Sequence, residues 1–273
     1  MKLPSLKFIE QKLWLVEEKT GFSRYDFDFE TFLTCEHPAW LDAPVCAVAR
    51  MGAAPDYAKR YAMLEELGIT LVHTPEEYER TSLLPEWYPR IEEFTPESVW
   101  FEERPEAEAI EAVLDYPIFL KGERQTSKHD RSMAIIETPE QMREVLSRWA
   151  RDPILHWQRV VARSYLPLRP VAVDHGAGLP HVFEFRAFFW EDTCVEIGPY
   201  WVNSDYALTA RERGDAIALG KEVAHRLGVT FLTIDLAQTL EGDWIVIECN
   251  DGQDSGYMGC KPLTLWRNII DKL

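Results

Sequence analysis

The chain has 273 residues, 46% of them hydrophobic, and a formal net charge of −17. That length supports a large core and two or three subdomains. The acidic balance argues against a polyanion-binding surface, so no nucleic acid is expected as a partner, while one nucleotide held locally by Lys and Arg stays compatible with it.

Residues 1–105 read as an N-terminal α/β domain. Val45–Ala49 is a short buried strand, Asp56–Leu67 a helix closed by Gly68, and Ile69–Val72 the next strand. Strand, helix, strand in that order predicts a parallel crossover. Glu76–Tyr88 reads as one polar helix, and Trp87, Trp100, Pro85, Pro89, Pro96 and Pro105 mark a boundary region. A second unit covers 106–165. In it Tyr116–Lys121 is a strand, Gly122–Arg131 a polar loop and Ser132–Ile136 the return strand. Thr138 caps a helix that begins with Pro139 and runs to about Ala150. Leu155–Tyr165 is extended. The third unit, 166–273, holds strands at Val182–Trp190 and near Val195–Val202, then a helix ending at Leu227-Gly228. It closes with a hairpin of Phe231–Gln238 and Trp244–Asn250.

Cys35, Cys46, Cys194, Cys249 and Cys260 are scattered and form no Cys-x-x-Cys, which points to reduced thiols in a cytoplasmic protein. No His pair has zinc-ligand spacing. The N-terminus lacks a signal-peptide apolar region, and no apolar run reaches about 18 residues, so no membrane association is expected.

The hairpin is the most informative element. If its loop has two or four residues, Leu240 opposes Asp243. Counting outward, Asp235 then falls opposite Glu248, and Thr233 opposite Asn250. Alternation puts Asp235, Glu248 and Asn250 on one face, and Ile234, Leu236, Ile247 and Cys249 on the other. Two opposed carboxylates repel unless a cation lies between them. Hard oxygen ligands in that number suit Mg²⁺, which takes one or two carboxylates plus substrate phosphates. An ordinary hairpin with a solvated polar face is the plain alternative, and an odd-length loop would spoil the register.

Three further features break the strand pattern. Lys121 ends an apolar strand before a polar loop in which Thr126, Ser127 and Lys128 can meet phosphates. Phe183, Phe185, Ala187 and Phe189 form one apolar face of their strand, with Glu184 and Arg186 on the opposite face. Arg is a natural partner for phosphate or carboxylate oxygens, and a structural ion pair is the alternative. Asn250–Tyr257, with two glycines, suits a loop close to a ligand or a plain surface turn.

In order, the chain presents a Lys-ending strand, polar loop, helix, extended strand, Glu-x-Arg strand, helix, Asp strand and Glu-x-Asn strand. Over about residues 105–273 this resembles the ATP-grasp superfamily. Glu184-Phe-Arg186 after Val160–Tyr165 looks most like the branch of eukaryotic cell-division-cycle assembly factors. Bacterial ATP-grasp proteins of undefined substrate are similar. The resemblance implies a pre-ATP-grasp-like α/β domain followed by a two-subdomain α+β ATP-grasp fold, with ATP between the subdomains. It implies that Lys121 contacts the phosphates, with Lys128 in place of the usual glycine-rich loop. Backbone groups of the Val160–Tyr165 strand, Val161, Ala162 and Arg163 among them, would hold adenine. Glu184 and Arg186 would border the nucleotide, with Arg186 at the terminal phosphate or an acyl phosphate. Lys121 and Arg186 would be the catalytic cations. Asp235, Glu248 and Asn250 would bind Mg²⁺, with Glu248 bridging two ions. The chain departs from the family in having no lysine in 101–115, where Arg104 is the one basic residue, and no acid in Leu155–Pro167 for the ribose.

The activity implied is an ATP-dependent carboxylate–amine (or thiol) ligase. A carboxylate, free or peptide-borne, attacks the γ-phosphate to give an acyl phosphate, and an amine displaces phosphate. Arg211 and Arg213 are candidates for a substrate carboxylate, and a solvated helix start is their alternative. Arg50 and Gly52 are candidates for an N-terminal contribution to the acceptor site. The second hypothesis is an ATP-binding assembly factor that contacts a protein partner without turnover. A kinase acting on a hydroxyl is the third.

Overall fold

The computed structural model describes residues 5–52, 56–128, 130–171 and 178–273, and three sheets follow one another along the chain. The first begins with an antiparallel hairpin of β1 (Ser5–Ile9) and β2 (Leu13–Glu17). It continues with α1 (Phe29–Phe32), β3 (Cys35–Glu36), β4 (Val45–Arg50), α2 (Tyr57–Glu65) and β5 (Ile69–Leu71). The sheet order is β3-β1-β2-β4-β5, and β4 runs parallel to both β2 and β5. The crossover expected between Val45 and Val72 is therefore present. The hairpin before it was not anticipated. Its turn uses Glu10 and Gln11 at positive φ, positions where Gly or Asn is the usual signal.

The polar segment after β5 forms two helices, not one. Thr74 caps α3 (Pro75–Ser82) in a capping box with Glu77. Leu83 is extended, and α4 (Leu84–Ile91) starts afresh with Pro85 in its first turn. Pro85 has no N–H to continue the earlier helix, so the chain restarts there.

The second sheet is antiparallel, in order β6-β9-β7-β8. Its elements are β6 (Ser98–Phe101), α5 (Ala107–Glu111), β7 (Ile118–Gly122), β8 (Ile135–Ile136), α6 (Pro139–Trp149) and β9 (Val160–Ser164). The Thr138 cap and Pro139 start are as expected. The return strand is shorter than expected, because Arg131–Met133 coil into a 3-10 turn. Helices α5 and α6 cover one face of this sheet and bury Ile110, Leu120, Met142 and Leu146.

The third sheet, also antiparallel, has the order β11-β10-β12-β13. It contains β10 (Glu184–Trp190), β11 (Thr193–Pro199), α7 (Ala210–Leu227), β12 (Phe231–Gln238) and β13 (Trp244–Asp251), and α8 (Pro262–Ile270) follows. Phe185, Ala187 and Phe189 pack with Phe183 against Ala216, Val223 and Leu227 of α7. Full burial of each such aromatic or aliphatic side chain contributes about 1.5–3 kcal/mol. The opposite face of β10 is divided. Phe188 and Trp190 join Trp266 and Ile269 of α8 and Phe29 of the N-terminal unit. Glu184 and Arg186 occupy the end of that face left open toward the second sheet. Among the described residues, no helix is long and apolar enough to cross a membrane. The architecture is thus an N-terminal α/β unit followed by two α+β units, the class expected from the sequence.

Candidate functional site

Asp235 pairs with Glu248 and Thr233 with Asn250, the register expected from strand alternation. Two deviations from the simple hairpin cancel to give it. Thr239 N–H donates to Asp243 O across a three-residue loop, which shifts the pairing by one, so Gln238 faces Trp244 and Leu236 faces Val246. A bulge between Leu236 and Asp235 then shifts it back. The bulged residue, Ile247, was expected among the core residues. Val246 takes that core position, and Ile247 lines a cavity.

Register also places Arg186 beside Asp235, so Arg186, Asp235 and Glu248 form a row across three strands. Arg186 is 7% exposed and Asp235 1%. The guanidinium donates from Nε to Asp235 Oδ1 (2.8 Å), from Nη2 to Oδ2 (2.7 Å) and from Nη1 to the Gly256 carbonyl (2.9 Å). Lys121 reaches across from β7 and pairs with Glu248. Lys128, in the loop after β7, meets the Tyr200 hydroxyl.

These groups set one another's protonation. Burial alone would raise the Glu248 pKa, but Lys121 and Lys128 outweigh it and hold it down at about 2. Glu184 behaves oppositely. Burial, then the Asp235 charge, push it up to about 8, which favours its protonated form. Burial lowers the Lys121 pKa more than Glu248 raises it back. Around Glu248, four basic side chains (Lys121, Lys128, Arg163 and Arg186) gather beside the Asp235 and Glu248 carboxyl groups. That cluster of basic groups, inside a chain of net charge −17, suits a polyanionic ligand.

Two adjoining cavities open here. One, of about 320 Å³, is mostly apolar and lies between the second and third sheets, lined by Phe119, Ile135, Leu166, Leu168, Ile245 and Ile247. Lys121, Lys128, Glu184 and Glu248 close its polar end. The other, about 840 Å³, has a mixed polar and apolar lining and shares Lys128 and Glu248 with the first. Arg186 and Asn250 lie on its wall. Glu248 and Asn250 thus present hard oxygen donors to the chamber, a donor set that suits a divalent cation also bound by phosphate. Among the described residues, no group of three or more His, Cys, Asp or Glu side chains is arranged to hold a metal unaided.

The loop after β7 is held by a residue that sequence reasoning passed over. Gln158 Oε1 accepts from the backbone N–H groups of Arg124 and Gln125, both at 2.9 Å. Its amide lies where a Cβ on Gly122 would intrude, at 2.2 Å, so that close approach requires glycine. Arg163 links the two sheets. Its Nε donates to Ser98 Oγ (2.9 Å) and its Nη1 to the Ile247 carbonyl (2.8 Å), while Nη2 is buried without a partner.

Val161 and Ala162, expected to hold adenine through their backbone, lie within β9. Strand β9 runs between β6 and β7, so its backbone groups are spent on both neighbours. The Val161 and Ala162 side chains are buried in two different cores. The segment that borders the apolar cavity is Arg163–Leu168. Arg50 is also committed elsewhere, to four backbone carbonyls. Arg211 is 93% exposed on the side chain and pairs with Asp215, as a solvated helix start does.

A family model described as ATP-grasp domain, R2K clade family 3, matches residues 87–269. Solved structures of the same fold include a RimK domain ATP-grasp protein from Sphaerobacter thermophilus DSM 20745. It has 16% identity and a TM-score of 0.57, covering 83% of this chain and 80% of that one. D-alanyl-alanine synthetase A from Vibrio cholerae O1 biovar eltor str. N16961 has 14% identity and a TM-score of 0.55, covering 83% and 76%. D-alanine–D-alanine ligase from Bacillus anthracis, complexed with ATP, has 14% identity and a TM-score of 0.57, covering 83% and 78%. No curated protein sequence matches the chain. Because the family model spans well over half of the residues, from α4 to α8 and across both sheets that frame the cleft, the chain belongs to the ATP-grasp family, R2K clade family 3.

Proposed function

We propose that the chain binds Mg–ATP in the cleft between its second and third sheets and works as an ATP-dependent carboxylate–amine (or thiol) ligase. The gathering of four basic side chains, Lys121, Lys128, Arg163 and Arg186, around Glu248 at the junction of two cavities is the observation that carries this reading. The apolar cavity suits the base, with contacts from Arg163–Leu168 in place of Val161 and Ala162. The unpartnered Nη2 of Arg163 would donate to the nucleotide. Lys121 and Lys128 would grip the phosphates. Of the three expected magnesium ligands, Glu248 and Asn250 would hold Mg²⁺, while Asp235, whose two oxygens both accept from Arg186, would stand behind them. Bound Mg–ATP would supply the phosphoryl group and the charge neutralisation its transfer needs. Arg186, fixed by Asp235 and the Gly256 carbonyl, would face the charge that develops on the transferred group, a preorganised cation that needs no rearrangement. The substrate carboxylate, activated as an acyl phosphate, would then pass to the amine. Five free cysteines suit a reducing compartment such as the cytoplasm.

The test is ADP release from Mg–ATP with paired sets of small carboxylates and amines. Release that requires both partners supports the ligase. ADP formed at the same rate without either partner, or ATP bound with no turnover on any pair, contradicts it.

A further inference from the structure

The loop after β13 is shaped by one buried guanidinium. Arg50 Nη1 donates to the carbonyls of Gly252 (3.0 Å), Gln253 (2.8 Å) and Ser255 (3.0 Å). Ser255 Oγ donates to the Asp251 carbonyl at 2.6 Å. With those groups turned inward, the side chain of Asp254 borders the larger chamber. Its Oδ2 accepts from the Tyr78 hydroxyl at 2.7 Å. Tyr78 projects from α3 and is stacked on Tyr57, with ring centroids 4.1 Å apart at 6°. Arg124, from the loop after β7, donates from Nη1 to the same hydroxyl at 3.3 Å and lies over the Tyr78 ring.

An acid and a guanidinium thus flank one tyrosine hydroxyl, each supplied by a different part of the chain. The tie between three units is by itself compatible with a structural role. A second observation points to a ligand. Ser82 sits four residues after Tyr78, on the same face of α3. It is 6% exposed, lines the chamber, and its hydroxyl is buried without a partner. A buried hydroxyl left unsatisfied costs about 1–3 kcal/mol, a penalty that a bound polar group would remove. Among the described residues the Arg124 side chain donates to Tyr78 alone, which leaves most of its fork for an anion. Burial and the Asp251 charge raise the Asp254 pKa to about 7, and an approaching cation would favour its ionised form.

We propose that Asp254, Arg124 and Ser82 form an acceptor subsite for a small zwitterionic amine of the amino-acid class, its ammonium group on Asp254 and its carboxylate on Arg124 and Ser82. This rests on the reading of the adjoining cleft as an Mg–ATP ligase site, since the same chamber carries Arg186 and Glu248.

The experiment titrates the common amino acids into the full chain saturated with Mg and a non-hydrolysable ATP analogue. The matching amino-acid amides, which lack the carboxylate, serve as the comparison. At least one amino acid is expected to bind, and its amide about tenfold or more weakly. Arg124→Met should cost the amino acid about tenfold and leave the amide unchanged. Asp254→Asn should weaken both by about tenfold. Both variants should keep analogue affinity within about twofold, which also reports an intact fold. No binding by any amino acid, equal binding of acid and amide, or wild-type affinity in both variants would overturn the subsite. Failure of the nucleotide reading shows separately, as loss of analogue binding by the wild-type chain. Titration of amino acids into the nucleotide-free chain then still decides the subsite.

Discussion

Asp235→Asn is expected to destabilise the protein by about 3–5 kcal/mol, because it breaks a buried ion pair and leaves the cation behind. Asp235 accepts two parallel hydrogen bonds from Arg186 in the middle of β12. Asn keeps one acceptor oxygen and turns an amide NH₂ toward the guanidinium, so a buried positive charge faces a donor. For a chain of this size the loss amounts to a fall of roughly 6–20 °C in melting temperature. The paired change Asp235→Leu with Arg186→Met should recover most of the stability, since it removes both desolvated charges together. It should not recover nucleotide chemistry. Denaturant titration of the two variants measures this. An Asp235→Asn protein within about 1 kcal/mol of wild type would show that the pair is not what holds this row of the sheet.

The second large effect separates the two partners of the buried Lys121–Glu248 pair. Lys121→Met should weaken ATP binding about 10- to 100-fold whether or not Mg²⁺ is present, because a charge-assisted contact to phosphate is lost. Glu248→Gln should leave magnesium-free binding near wild type and remove the gain that Mg²⁺ provides, if, as proposed, its oxygens serve the ion and not the phosphate. Each variant leaves a charged partner behind, so both should also melt below wild type in the absence of ligand. Calorimetric titration of each variant with and without Mg²⁺ makes the comparison. Identical losses in the two variants under both conditions would mean that the residues act as one structural unit and not as separate phosphate and metal contacts.

What could be read from the sequence depended on how local the cause was. Strand alternation put Asp235, Glu248 and Asn250 on one face, and Thr138-Pro139 announced the start of α6, because a few neighbouring residues determine each of these features. The bulge at Ile247 has no local marker. No glycine stands there, and the distortion serves a distant need, exposing a carbonyl that accepts from Arg163. The place of Val161 and Ala162 inside a sheet met a different obstacle. Which strand lies inside a sheet depends on long-range pairing, and β6, four residues set among prolines, resembled a boundary more than a partner for β9. Arg50 showed the same limit. A charge at the end of a buried strand suggested a site residue, yet it gathers carbonyls from residues about 200 positions away. Tyr78, Ser82 and Arg124 lay in segments read as polar helix or polar loop, and only the fold brings them beside Asp254.

Calorimetric titration of ATP into the wild-type chain, with and without Mg²⁺, bears most directly on the cleft. The cation-rich pocket around Glu248 predicts saturable binding at one site, tighter with Mg²⁺ than without it. No binding in either condition would contradict the account, since the buried cations would then serve the fold alone.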